Sequence, residues 1–169
     1  MASSSYHLAQ INIGRALVPT DHPQFADFMA ALAPINALAD AHPGFVWRFQ
    51  TDDGNATAVR PYDDDRMMIN FSVWKDIESL REFTYSGDHV AIMRRRREWF
   101  EKMADLFMAL WWVPAGHRPS VQEAVAKLEH LRQSGPSPEV FTFREFYPAP
   151  DANVQATVPT SIADPCPAL

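Results

Sequence analysis

The stretch GDHVAIMRRRREWF, residues 87 to 100, sets a histidine and four consecutive arginines beside two large aromatics. With Asp88 as N-cap, helical steps of three and four put His89, Ile92, Met93, Arg96, Trp99, Phe100 and Met103 on one stripe. His89 and Arg96 then share an apolar face, where an imidazole can take a proton and a guanidinium can hold the anion that results. Arg94, Arg95 and Arg97 point elsewhere, with Arg94 spaced to pair with Glu98 and Arg97 with Glu101. Three arginines thus read as a solvated face, and one as an interior group that needs a carboxylate or a ligand anion. The competing reading of His89 is a structural histidine bonded to nearby backbone.

Other polar groups fall where such a site would use them. Asn70, Ser72 and Trp74 share one parity of the alternating segment MMINFSVW. His7 lies in YHLAQINI on the opposite parity from Gln10 and Asn12, so only one of those sets faces a given side. Asn36 follows Pro34 on the inward stripe of a helix; its amide serves either a pocket or the carbonyl that the proline leaves unpaired. Tyr85 closes a helix, Trp99 follows the arginines, and Trp111 and Trp112 face opposite sides of their strand. His117 sits in a tight loop ahead of a capped helix, a place that favours the neutral imidazole. The candidate catalytic set is therefore His89, Arg96 and Asn70. The candidate substrate-binding set is His7, Asn36, Trp74, Tyr85, Trp99, Trp112 and His117.

The remaining composition narrows the classes. A net charge of -6 opposes a phosphate backbone, and the interrupted arginine run does not overcome it, so nucleic acid is not an expected partner. No apolar run approaches the roughly 20 residues of a membrane span, and the N-terminus lacks the pattern of a signal peptide, so a cytoplasmic protein is expected. The single Cys166 permits neither an intrachain disulfide nor a CxxC pair. The acidic segment 51–66 lacks EF-hand spacing, and no metal site is expected. GxGxxG, P-loop, HExxH and GxSxG motifs are all missing, which argues against dinucleotide, nucleotide triphosphate, zinc-peptidase and α/β-hydrolase chemistry.

These groups need a scaffold. Alternation at 6–13, 67–74 and 140–146, with apolar runs GFVWRFQ and LFMALWWV, predicts five strands. Helical spacing predicts helices around 25–35 and 77–83, the long helix from Asp88, and one over 120–134 framed by the Ser120 and Glu123 capping box and by Gly135. The order β, α, β, β, α, β with an appended helix and strand points to an α+β, ferredoxin-like antiparallel sheet with helices on one face. Its second face is also apolar, through Trp47, Phe49 and Phe71 among others, which argues for a homodimer through the sheet. Residues 1–148 form this domain, and 149–169 are expected to be a flexible Pro/Ala-rich tail.

YHLAQINI, FSVWKDIESLREFTYSGDH, RRRREWF and LWWVPAGHRPSVQEAVAKLEHLRQSGPSPEVFTF together resemble a bacterial family of uncharacterised function in the dimeric α+β barrel superfamily, which includes the antibiotic-biosynthesis monooxygenases. The resemblance covers about residues 5 to 148. It implies a ferredoxin-like protomer paired through its sheet, with a pocket between sheet and helices. His7, Trp74, Tyr85, His89, Arg96, Trp99, Trp112 and His117 match recurring positions of that family, without assigned roles. Relatives of the fold include cofactor-free oxygenases, isomerases, polyketide cyclases and haem enzymes, and fold does not choose among them.

The leading expectation is an enzyme acting on an aromatic or polyketide-like small molecule, without a cofactor, by oxygenation or by proton-transfer cyclisation or isomerisation. The alternatives are a haem protein with His89 or His117 as axial ligand, and a module that binds a small ligand or serves a stress response without turnover.

Overall fold

The computed structural model describes residues 5–52, 54, 56, 57 and 59–152. Four strands, β1 (Tyr6–Arg15), β2 (Phe45–Arg48), β3 (Met67–Trp74) and β4 (Met108–Pro114), form one antiparallel sheet in the order β2-β3-β1-β4. Helix α1 (Ala26–Asp40) joins β1 to β2, while α2 (Ile77–Thr84) and α3 (Gly87–Arg94) join β3 to β4. Helix α4 (Val121–Ser134) follows β4. The ferredoxin-like α+β architecture expected from the sequence is the one adopted.

Strand alternation decides which residues meet the helices. Ala9, Ile11 and Ile13 of β1, Ile69, Phe71 and Val73 of β3, and Trp111 and Val113 of β4 pack with Ala124, Leu128 and Leu131 of α4. This is the second apolar face from which pairing with another protomer was inferred. The chain closes it itself: α4 lies on it, and Tyr62 of the 49–66 connection donates to Glu129 Oε1 at 3.3 Å. Helix α4 thus covers part of the face through which sheet pairing was expected. Burial, and next the nearby Glu129 carboxylate, push the Tyr62 phenol up to about 12.

The opposite parity, including Leu8, Gln10, Asn12 and Gly14 of β1 and Met68, Asn70, Ser72 and Trp74 of β3, faces α1, α2 and α3. Gly44, just before β2, runs so close to α2 that an added Cβ would overlap Ser79 Cβ and Oγ. Gly44→Ala should lower stability by about 1–3 kcal/mol, the usual cost of overpacking, and Ser79→Gly in the same chain should restore part of it; urea melts of the three variants check this.

Two predicted elements differ. Residues 140–146 form no strand: Phe141 makes an isolated bridge to Leu110, with N···O distances of 2.8 and 2.9 Å, and the segment covers the edge of β4. The helix expected from Asp88 begins at Gly87 after Ser86 and stops at Arg94, followed by a short 3-10 turn, Arg96–Glu98. The end of β1 claims the next residues for itself: Leu17 N donates to Trp99 O and Glu101 N to Arg15 O, at 2.8 and 2.9 Å. Those pairings commit the Trp99 carbonyl and the Glu101 amide to β1, and Trp99, at φ -120° and ψ -28°, has already left helical geometry. Helix α4 keeps its expected frame, with Ser120 Oγ accepting from Glu123 N at 3.1 Å and Gly135 at φ 75°. Most of the expected C-terminal tail, 153–169, lies outside the described residues.

Candidate active site

Two adjoining chambers lie between the sheet and α1–α3, with volumes of about 170 and 90 Å³. They share a wall of Asn12, Ile35, Asn36, Arg48, Asn70, His89 and Met93. The larger is mainly apolar, bounded by Phe28, Leu32, Ile92, Trp99 and Phe100. The smaller adds Gln10, Ser72, Trp74 and Thr84. Asn70 occupies the middle of a central strand yet is exposed, so the helices leave the sheet open to the medium at this point.

The strands set the polar floor. Asn12 and Asn70 are directly opposed across β1 and β3, one step from the Gln10 and Ser72 pair on the same face. Gln10 Nε2 donates to Ser72 Oγ at 2.9 Å and to Asn70 Oδ1 at 3.3 Å, and Trp74 Nε1 donates to the same Ser72 oxygen at 2.8 Å. The Asn12 amide, by contrast, makes no hydrogen bond to a described residue, and its Oδ1 is shut off from solvent. Asn36, beyond Pro34 in α1, also has no hydrogen-bond partner among the described residues; it does not cap the carbonyl freed by the proline, and its place on the shared wall fits the pocket reading.

His89 stands in the first turns of α3, half-buried, with its ring 5.0 Å from that of Phe83. Its Nδ1 lies 2.9 Å from Thr84 O. A carbonyl only accepts, so Nδ1 carries the proton, and in the neutral ring Nε2 keeps its lone pair. Burial, partly offset by that backbone bond, pulls the imidazole below its usual range. His89 is thus both a backbone-bonded histidine and a neutral ring with one basic nitrogen, and the residue lines both chambers. Arg96, half-buried, lines the larger chamber; its Nη2 donates to Ile13 O at 3.3 Å, and its guanidinium carbon stands 4.7 Å from the Phe107 ring centroid. Gly14 leaves room for this end wall, since a Cβ there would lie 2.9 Å from Phe100 Cδ1.

The histidine stripe survives the early end of its helix: His89, Ile92, Met93, Arg96, Trp99 and Phe100 all line the larger chamber, and Met103 packs elsewhere. Arg94, Arg95 and Arg97 are exposed. The partners differ from those the spacing suggested. Arg95 holds Glu98 and reaches Asp27 of α1, both at 2.8 Å, while Glu101 turns to Arg15 and Arg66.

Of the other candidates, Trp74 joins the smaller chamber and Trp99 the larger. His7, Tyr85, Trp112 and His117 do not line either one. His7 falls on the α4 side because Gln10 and Asn12 took the other parity. Tyr85 is 48% exposed at the end of α2. Trp112 shares the pocket's face but donates to Tyr147 O at 2.8 Å and packs on Phe141 at the far end. His117 pairs with Glu123 at 2.7 Å on the capped turn of α4, across the sheet. One wall residue was missed: Arg48 lines both chambers, held by Asp40 at 2.8 and 3.2 Å and donating to Gly54 O at 2.9 Å. A lone charge in the apolar run GFVWRFQ was its only signal.

The two linings include Arg48 and Arg96 but no Asp or Glu, so the walls favour developing negative charge. Of the two histidines expected as haem ligands, His89 lines both chambers and His117 lies outside them. Among the described residues no helix is long and apolar enough to cross a membrane, and no group of acidic, His or Cys side chains is arranged to hold a metal.

Several solved structures are similar to this chain. SnoaB, a cofactor-independent oxygenase from Streptomyces nogalater, is 18% identical over 71% of this chain and 100% of its own, with a TM-score of 0.44. A protein of unknown function from Nitrosomonas europaea is 17% identical over 69% of this chain and 97% of its own, with a TM-score of 0.43. A Pseudomonas aeruginosa protein is 13% identical over 71% and 100%, with a TM-score of 0.46. No curated protein matches the chain. Residues 7–157 match the model of a domain of unknown function (DUF3291), and the chain belongs to that family.

Proposed function

We propose that this chain is an enzyme of small aromatic substrates in which His89 removes a proton from an acidic carbon or hydroxyl, and Arg96 with the Asn70 amide holds the anion. The observation that carries the reading is the Nδ1 bond to Thr84 O, which fixes the tautomer and leaves Nε2 as the base of a residue that lines both chambers. Trp74 and Trp99 bound the ring-sized space.

The substrate's C–H or O–H bond breaks, its electron pair stays on the substrate, and the proton moves to Nε2. Return of that proton to another atom gives isomerisation or cyclisation and regenerates the imidazole. Oxygenation would take dioxygen as co-substrate: a methylene and O2 give a ketone and water, the substrate supplying the electrons. An engineered cavity of about 150 Å³ binds benzene, so a chamber of about 170 Å³ suits one ring or two fused rings better than a large polyketide.

Incubation of the protein with enolisable aryl ketones in D2O tests the reading. Deuterium should enter the acidic position with wild-type protein and fall to background with His89→Gln. Equal exchange by both proteins would refute the assignment. Oxygen uptake by the same mixtures separates oxygenation from proton transfer.

A further inference from the structure

We infer that the ligand of the proposed site is a small aromatic acid, whose carboxylate is held by Arg48 while its ring occupies the larger chamber. The inference rests on the reading of the chambers as a substrate site and adds the group by which the substrate is anchored.

Arg48 ends β2 and lines both chambers, with 15% of its side chain accessible, so it is open to a ligand. A guanidinium carries five N–H groups in a planar fork. Three are engaged: Nε donates to Asp40 Oδ1 at 2.8 Å, Nη2 to Asp40 Oδ2 at 3.2 Å, and Nη1 to Gly54 O at 2.9 Å. One N–H on each terminal nitrogen therefore has no acceptor among the described residues. The Asp40 carboxylate takes the Nε edge and so fixes the plane of the fork, which leaves the terminal nitrogens to a second partner. Asp40 is thus a positioning residue, 46% accessible and outside both linings.

Two donors on adjacent nitrogens match the two oxygens of a carboxylate, the bidentate pairing for which an arginine fork is preorganised. The linings hold Arg48 and Arg96 with no Asp or Glu, so an anion is favoured and an ammonium would meet two guanidinium groups and no carboxylate. A phosphate has suitable oxygens but carries up to two charges, whereas Asp40 already balances one charge at Arg48. A carboxylate carries one. The rest of the ligand must be apolar to fill the larger chamber among Phe28, Leu32, Ile92 and Phe100, and the volume of about 170 Å³ limits it to one ring or two. His89 lines the same chambers, so the anchored ring shares its compartment with the proposed base.

The test compares 2-naphthoate, 2-naphthamide and 2-naphthyl phosphate by calorimetry on the full chain. Wild-type protein should bind 2-naphthoate at least about tenfold more tightly than the amide, and more tightly than the phosphate. Arg48→Gln should bring carboxylate and amide to within about threefold of each other, while Arg96→Gln keeps the preference. Arg48→Lys covers the case in which the glutamine variant does not fold: its ammonium can still pair with Asp40 but offers no fork, so the preference should fall there too. Equal affinities in wild-type protein, a tighter phosphate, a preference that survives in the Arg48 variants, or no binding of any of the three would each overturn the inference. Acetate at the same concentration should leave 2-naphthoate binding unchanged, and competition by acetate would refute the part played by the ring. 2-Naphthoate has no enolisable position, and the deuterium exchange described above runs on ketones without a carboxylate. Preference without exchange therefore removes the proton-transfer reading alone, and exchange without preference removes the carboxylate anchor alone.

Discussion

Asn12→Leu should make the protein more stable. The amide sits in a central strand, opposite Asn70, with Oδ1 closed to water and no partner among the described residues. Leaving such a group unmet costs about 1–3 kcal/mol, whereas a leucine of similar shape would extend the apolar wall formed by Ile35, Met68 and Met93. The gain should appear as a rise in Tm of about 2–4 °C per kcal/mol for a domain of this size. Calorimetric melts of the ligand-free protein check it, and a lower Tm for Asn12→Leu would mean that the amide is part of the native packing.

His89→Gln should lower turnover by about 10²- to 10⁴-fold, the usual contribution of a positioned base, with little change in ligand affinity. Glutamine can still donate to Thr84 O but has no basic nitrogen. The pH dependence follows from the direction of the shift. Burial lowers the proton affinity of the folded-state ring below the ordinary 6.5, so the base form is already dominant at neutral pH and activity should fall only on acidification below that value. Stability should move the same way. The unfolded ring binds a proton first as pH falls below 6.5, so the folded state loses ground from there down through the lower folded-state value. Rate profiles and urea melts between pH 4 and 8 check both, and the acid-side loss of stability should be smaller in His89→Gln.

The sequence made the scaffold legible where the signal was local. Alternation located β1 and β3, and a capping box with a glycine stop framed α4. It failed where distant partners decide. Trp99 and Phe100 carry a helical spacing, yet the end of β1 pairs with their neighbourhood and pulls the chain out of the helix. Phe141 and Phe143 alternate like a strand, but the segment serves as cover for β4 and as part of the core. Parity was the main obstacle at the site. Both faces of β3 are apolar enough to be buried, so only the register with β1 shows that Gln10, Asn12, Asn70 and Ser72 share the helix side and His7 does not. Trp112 has the right face but the wrong end. Arg48 was hidden for the opposite reason, since a single arginine in an apolar edge strand gives no spacing to measure.

Nitrogen-15 NMR of histidine-labelled protein tests the central claim most directly, by reading the tautomer and titration of His89, assigned by comparison with His89→Gln. The account requires a neutral ring at pH 7 with the proton on Nδ1, Nε2 unprotonated, and a midpoint below 6.5. A ring protonated at neutral pH, or a proton resident on Nε2, would leave no base facing the cavity and would contradict it.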